Sequence, residues 1–311
     1  MKAKCPSRTA EHNALFRAIE HARRPKDRII DDRMALNFLS PSFRLVALLA
    51  RNPWVLAMLC RYIDARWPGA RTSLVARTRL IDEYVTSALA NGVSQVVILG
   101  AGFDSRAYRI ADAERTRFFE VDHPNTSAVK KVHIERAVGA LPKHVTYVAV
   151  DFERDQVPES LKAAGFDGSR PSLFLWEGVS NYLSEGTVSS TLSFIGRLAP
   201  GTALAFTYVD RAVLHDPAGF AGGNEVQRTI ARLKEPWTFG IQPNRARAFL
   251  QECGLELDSD LSAADYRRQY YENADRIRGY EFYHVIFGHV PTRIRQSGAH
   301  SSREVSLAQS Q

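Results

Sequence analysis

The chain has 311 residues, 45% of them hydrophobic and 24% charged, which is enough for one large α/β domain with additions or for two small ones. Its net charge of +7 comes from arginines scattered along the chain, with no basic run, so neither nucleic acid nor a membrane is the expected partner. The three cysteines, Cys5, Cys60 and Cys253, are far apart and odd in number, which fits a reducing, cytoplasmic setting and offers no metal-ligand spacing.

Residues 1–10 read as a loose tail without the apolar run of a secretory leader. Leu15, Ala18, Ile19 and Ala22 then recur at helical spacing, until Pro25 and Lys26-Asp27-Arg28 end the helix. Asp31-Asp32 offers an N-cap to a short helix through Met34, Leu36 and Phe38. Pro41-Ser42 opens another helical block, which Pro53 restarts. Residues 43–63 are the most apolar early stretch. Arg44, Arg51 and Arg61 make it a buried or capping region and not a membrane span, which needs ~20 mostly apolar residues. Cys60 and Cys253 fall in apolar helical patterns and are expected in the core. After Trp67-Pro68-Gly69, a long helix places Leu74, Thr78, Ile81 and Val85 on one face and stops at Asn91-Gly92.

From residue 95 the rhythm changes to alternating strands and helices, the pattern of a mainly parallel sheet. Strands are predicted at 95–99, 117–121, 146–150, 172–176 and 203–209, with helices at 105–111, 126–138, 159–164 and 185–198 between them. Residues 211–242 interrupt the pattern with Gly219, Gly222-Gly223, Phe220, Trp237 and Phe239, and carry a helix at 225–233. A helix at 245–253 and two strands at 255–257 and 281–290 follow. The last residues, 291–311, rich in Ser, Arg and Gln, read as a disordered tail. The domain reading is a helical cap and lead-in helix over 1–92, a core over 93–290, and a lid within it at 211–242.

The chemistry concentrates where the strands end. Val96-Val97-Ile98-Leu99 runs into Gly100-Ala101-Gly102, and glycine lets a backbone turn sharply and approach a ligand. About 20 residues on, Asp122 ends the next strand, where a carboxylate accepts hydrogen bonds from both ribose hydroxyls. Its competing role is a helix cap, since His123-Pro124 follows. The third glycine of the dinucleotide fingerprint is Ser105 here, which weakens a nicotinamide reading. Asp151 and Phe152, at the third strand's end, suit the amine and ring of an adenine. Glu177, after the fourth strand, suits an ammonium. Asp151 serves equally as a strand-end cap and Glu177 as a partner for a nearby arginine. For chemistry on an acceptor, His123, His215, Tyr182 and Tyr208 are the groups near strand ends, and none is marked as a base by its surroundings in sequence.

The run Val97-Ile98-Leu99-Gly100-Ala101-Gly102-Phe103-Asp104-Ser105-Arg106-Ala107-Tyr108-Arg109, followed by Phe119-Glu120-Val121-Asp122-His123-Pro124, resembles the leucine carboxyl methyltransferase-like family, in its bacterial branch. The resemblance spans roughly 13–290 and includes Glu235-Pro236-Trp237. It implies a class I methyltransferase fold: a Rossmann-like, seven-stranded, mostly parallel sheet with an antiparallel last strand and a helical cap. The cofactor it implies is S-adenosyl-L-methionine, with Gly100 at the turn, Asp122 on the ribose, Asp151 and Phe152 on the adenine side, and Glu177 near the methionine amine. It adds Arg77 as the residue holding the cofactor carboxylate, and that arginine immediately precedes the core-facing Thr78. The lysine that assists this contact in the eukaryotic members has no clear counterpart; Lys26 aligns only loosely. The expected reaction is O-methylation of a small molecule, a carboxylate ahead of a hydroxyl, with Arg28 or Arg211 available to pair an acidic acceptor. The rival readings are a nicotinamide oxidoreductase, a non-catalytic cofactor-binding protein and, less favoured because Trp176-Glu177-Gly178-Val179 stands where base methylation uses a Pro-Pro-aromatic motif, a nucleic-acid methyltransferase. Oligomeric state is left open.

Overall fold

The structure is a computed structural model that describes residues 8–233 and 235–292. Cys5 and the expected tails at 1–7 and 293–311 lie outside the described residues. Residues 8–10, expected in the loose tail, open the first helix instead, with Glu11 in its first turn at the positive helix end.

Four helices come first: α1 (Arg8–His21), α2 (Pro41–Leu49), α3 (Pro53–Arg66) and α4 (Ala70–Ala90). Pro41 and Pro53 each sit in a first turn, where a missing N–H costs nothing. A 3-10 turn at Ala35–Phe38 follows Asp32, whose Oδ1 accepts from Ala35 N at 3.0 Å. Leu15, Ala18, Ile19, Phe38, Ala47, Cys60 and Ile63 form a small core that holds α1, α2 and α3 together. Gly92, with φ +83°, takes the chain out of α4 towards the sheet.

Among the described residues seven strands form one sheet: β1 (Gln95–Leu99), β2 (Arg117–Asp122), β3 (Val145–Ala149), β4 (Leu173–Trp176), β5 (Ala203–Val209), β6 (Glu256–Ser262) and β7 (Tyr283–His289). Their order is β3-β2-β1-β4-β5-β7-β6, and β7 runs antiparallel to both neighbours. β1 is buried along its whole length, as a β-branched run must be when helices cover both faces of a sheet. Its side chains alternate: Val97 and Leu99 join Phe119, Val121 and Phe174 on one side, while Val96 and Ile98 meet Phe118 and Leu173 and the α4 residues Ala76, Ile81 and Val85 on the other.

The covering helices are α5 (Arg106–Arg109), α6 (Pro124–Val138), α7 (Val157–Ala163) and α8 (Glu185–Ile195). After β5 come α9 (Ala212–His215) and α10 (Gly223–Leu233), then α11 (Ala246–Glu252) and α12 (Ala263–Tyr270). The segment 211–242 is anchored by Val213, Val226 and Ile230 against Phe282 and Tyr283, and by Trp67 Nε1 donating to Thr229 Oγ1 at 3.0 Å.

Besides the earlier start of α1 and the short helix α9, which has no counterpart in the sequence reading, two elements differ from it. β6 extends to Ser262 because its acids are satisfied laterally: Asp258 and Asp260 lie 2.9 Å from the rings of His289 and His284 on β7. A strand of alternating acids carries no apolar signature. Helix α12 has no counterpart in the sequence reading; a capping box of Ser262 and Asp265 starts it, and Tyr266 packs it onto α4 through Ser73 at 2.6 Å. Among the described residues no helix is long and apolar enough to cross a membrane.

Candidate active site

Chain order along the sheet reverses between β1 and β4, and in such sheets the crevice beyond the strands' carboxyl ends is where ligands bind. A cavity of about 530 Å³ opens there. Arg77, Gly100, Gly102, Asp122, Asp151, Phe152 and Glu177 all line it, although they come from α4 and from the ends of four strands.

The glycine turn is built on backbone geometry. Gly100 has φ +67°, and its N–H donates to Val121 O at 2.7 Å, which ties the turn to β2. A Cβ at Gly100 would stand 2.3 Å from Val179 Cγ2, so only glycine lets the turn pass beneath the β4 loop. Ser105, in the place of a third glycine, has a task of its own. Its Oγ donates to Asp32 Oδ2 at 2.6 Å and accepts from Arg109 Nε at 2.9 Å, fastening the turn to the N-terminal helices.

Asp122 faces the turn. Its Oδ2 accepts from Gly102 N and its Oδ1 from His123 N at 2.6 Å. Burial raises its pKa, against the pull of these two N–H donors. The helix-cap role belongs to His123, whose Nδ1 accepts from Asn125 N at 3.3 Å at the start of α6. Asp151 takes part in a turn of its own, with Oδ1 accepting from Glu153 N at 3.2 Å. Phe152 stacks on Trp176, ring centroids 6.3 Å apart.

Glu177 is held between two arginines. Arg77 Nε donates to its Oε1 at 2.7 Å and Arg106 Nη1 to its Oε2 at 2.8 Å. Burial alone would push this carboxyl up; the two guanidinium groups outweigh it and hold the pKa at about 2. The Arg77 guanidinium also lies over the Tyr283 ring at 4.5 Å. Its Nη atoms have no hydrogen-bond partner among the described residues, which leaves the fork available at the cavity wall.

Behind this wall is a network that sequence reasoning missed. Arg106 also binds Asp82 and Asp104, Arg109 forks onto both oxygens of Asp82 (2.7 and 2.8 Å), and Arg17 joins Asp32 (2.8 Å) to Phe103 O (2.6 Å). Four arginines thus face Asp32, Asp82, Asp104 and Glu177, the pairing that buried charges require. Arg106 and Arg109 stand in the motif itself, but nothing in a linear motif says which acids will close on them. Lys130, fully buried on α6, reaches Glu120 at 2.8 Å and Ala101 O at 3.4 Å beneath the turn.

Thr9, Ala10 and Asn13 of α1 also line the cavity, with Ala10 close against Gly102, as do Tyr182, Leu183, Glu235 and Thr238. Thr9 Oγ1 donates to Glu235 Oε2 at 2.6 Å and so joins α1 to the 211–242 segment. His123 and Tyr182 line the cavity, whereas His215 and Tyr208 do not; the Tyr208 hydroxyl donates to Asp260 at 2.6 Å. Neither Arg28 nor Arg211 lines it: Arg28 binds Arg23 O at 2.8 Å, and Arg211 pairs with Glu185 at 2.6 Å.

This strand order, with its reversed β7 and a glycine turn and acids at the switch point, defines a class I methyltransferase-type, Rossmann-like fold. Solved structures share it. A "putative methyltransferase" from Thermobifida fusca YX aligns over 90% of this chain and 94% of its own, with a TM-score of 0.59 and 17% identity. A DUF574 family protein from Streptomyces avermitilis aligns over 89% and 97%, with a TM-score of 0.55 and 16% identity. Residues 10–196 match the leucine carboxyl methyltransferase family, and the chain belongs to it. Relatives named "putative S-adenosyl-L-methionine-dependent methyltransferase" include one from Streptomyces coelicolor, 40% identical over 52% of this chain and 58% of its own length. Another from Frankia alni is 37% identical over 57% and 63%, so these two matches span less than two thirds of either relative. A third, from Mycolicibacterium paratuberculosis, is 32% identical over 78% of this chain and 81% of its own.

Proposed function

We propose that this chain is an S-adenosyl-L-methionine-dependent methyltransferase that methylates an oxygen of a small molecule. The observation that carries the reading is the convergence of Arg77, Asp122 and Glu177 on one cavity at the β1/β4 switch point. Each suits one group of the cofactor. The open fork of Arg77 fits a carboxylate, Glu177 a neighbouring ammonium, and Asp122 a ribose diol presented above the glycine turn. Asp151 and Phe152 are assigned to the adenine side, and Gly100 and Gly102 give the backbone its close approach. The same relation to this cofactor is carried in the names of the relatives above. A cavity of this volume is in the range of small-ligand sites.

Bound, the cofactor supplies a methyl group on a positive sulfur, already activated for displacement. The protein has to align and enclose the acceptor. The α1 residues and the 211–242 segment, joined by Thr9 and Glu235, are available to do so. A carboxylate acceptor is ionised near neutral pH and needs no base, which keeps it the first choice. A hydroxyl acceptor is the second reading, with Tyr182 and His123 among the polar groups at the cavity wall.

The test is transfer of a radiolabelled methyl group from the cofactor into a metabolite extract, with product mass and base lability measured. Label in a low-molecular-mass product is expected, released by mild base from an ester and retained in an ether. Label confined to nucleic acid or protein, or no transfer, would overturn the reading.

A further inference from the structure

Among the described residues, nine large apolar side chains are exposed, and seven of them lie on the consecutive helices α2 and α3. On α2, Leu45, Leu48 and Leu49 share one face at helical spacing. On α3, Trp54 (83% exposed), Met58 (73%) and Tyr62 follow one another a turn apart. The reverse sides of both helices, through Ala47, Cys60 and Ile63, are packed into the molecule. Helices that are apolar on both sides belong in an interior, and here nothing among the described residues covers the outer side. Seven such side chains leave on the order of 700 Å² of apolar surface uncovered, above the few hundred Å² usual on a monomer and near the ~800 Å² each partner of a stable interface buries.

We propose that a second copy of this chain covers these exposed side chains, α2 and α3 of the two copies meeting across a two-fold axis. An isologous contact is the simplest closed arrangement for a two-helix face of this area. Arg44, Arg51 and Arg61, exposed on α2, in the turn between the two helices and on α3, would supply its polar rim, a position in which arginine is favoured. Its acid, Asp64, is taken up by Arg71 of α4 at 2.6 Å and does not disturb the apolar stripe. The contact would brace the site from outside. α3 packs through Cys60 and Ile63 on α1, which carries Arg17, and is tied by Asp64 to α4, which carries Arg77.

The experiment is sedimentation equilibrium on the full chain at micromolar concentration, with Trp54→Asp/Met58→Asp as the disrupting pair and Trp54→Ser/Met58→Ser as the milder one. Twice the chain mass is expected for the native protein, and a twofold drop in mass for both variants with unchanged circular dichroism. A monomeric native protein overturns the proposal, as does either folded variant remaining a dimer. A monomer that co-sediments with phosphatidylglycerol vesicles overturns it too, and assigns the face to an anionic lipid surface. None of these readouts uses methyl transfer, so failure here leaves the functional reading standing.

Discussion

Under the proposed function, the Asp122 carboxylate has two jobs. It fixes the glycine turn through Gly102 N, and it stands where a ribose diol would meet the end of β2. The two jobs separate by substitution. Asp122→Ala removes both, leaving the Gly102 and His123 N–H groups without this acceptor. We expect it to weaken S-adenosylhomocysteine binding about 10- to 100-fold, the cost of one or two hydrogen bonds to a charged group. Asp122→Asn keeps one acceptor for the turn, so it should recover most of the lost melting temperature while binding stays weak. Calorimetry on both variants decides the matter. If the Asp122→Asn variant binds as tightly as the native protein, the residue holds the turn and nothing more. Sequence showed Asp122 and the glycines readily because a buried strand, a turn and an acid follow one another. It could not show that His123 takes the cap position, which depends on how α6 leaves the sheet.

At the scale of elements, the N-terminal helices are fastened to the sheet by ion pairs and not by apolar packing alone. Asp32 is wholly buried. Burial would raise its pKa, but Arg17, Arg109 and the Ser105 hydroxyl bring it below the ordinary value. Glu177 is held at about 2 against an ordinary 4.5. Both folded-state values are depressed, so both carboxylates contribute stability that is complete above their ordinary range and is lost as pH falls through the folded values. For Glu177 that contribution is on the order of 3 kcal/mol. Denaturant midpoints should therefore fall between about pH 4.5 and 2. Glu177→Gln should be less stable at neutral pH and should approach the native curve as pH nears 2. Parallel curves for the two proteins would show that the Arg77–Glu177–Arg106 contact stabilises nothing. Pairings between elements distant in sequence, such as Ser105 with Asp32, have no signature in a linear motif. β1 and β5 did, because near-continuous apolar runs mark strands buried on both faces. β6 and α12 are hidden by charge: the acids of one hydrogen-bond to histidines on β7, and the other is a short, polar helix whose start rests on a capping box.

Across the whole molecule, sheet order decides where the site lies. β1 and β4 are neighbours whose connections leave in opposite directions, and the crevice between them gathers side chains from Arg77 to Glu177. The half of the cavity made of strand ends was legible in sequence. The other half was not, because it forms only where α1 and the 211–242 segment meet, at Thr9 and Glu235. The central claim is that this cavity is built for S-adenosyl-L-methionine and not for a dinucleotide. Isothermal calorimetry of the purified chain with S-adenosylhomocysteine and, separately, with NAD tests it most directly. The account predicts saturable binding of S-adenosylhomocysteine and no heat from NAD. Binding of NAD with none of S-adenosylhomocysteine would contradict it.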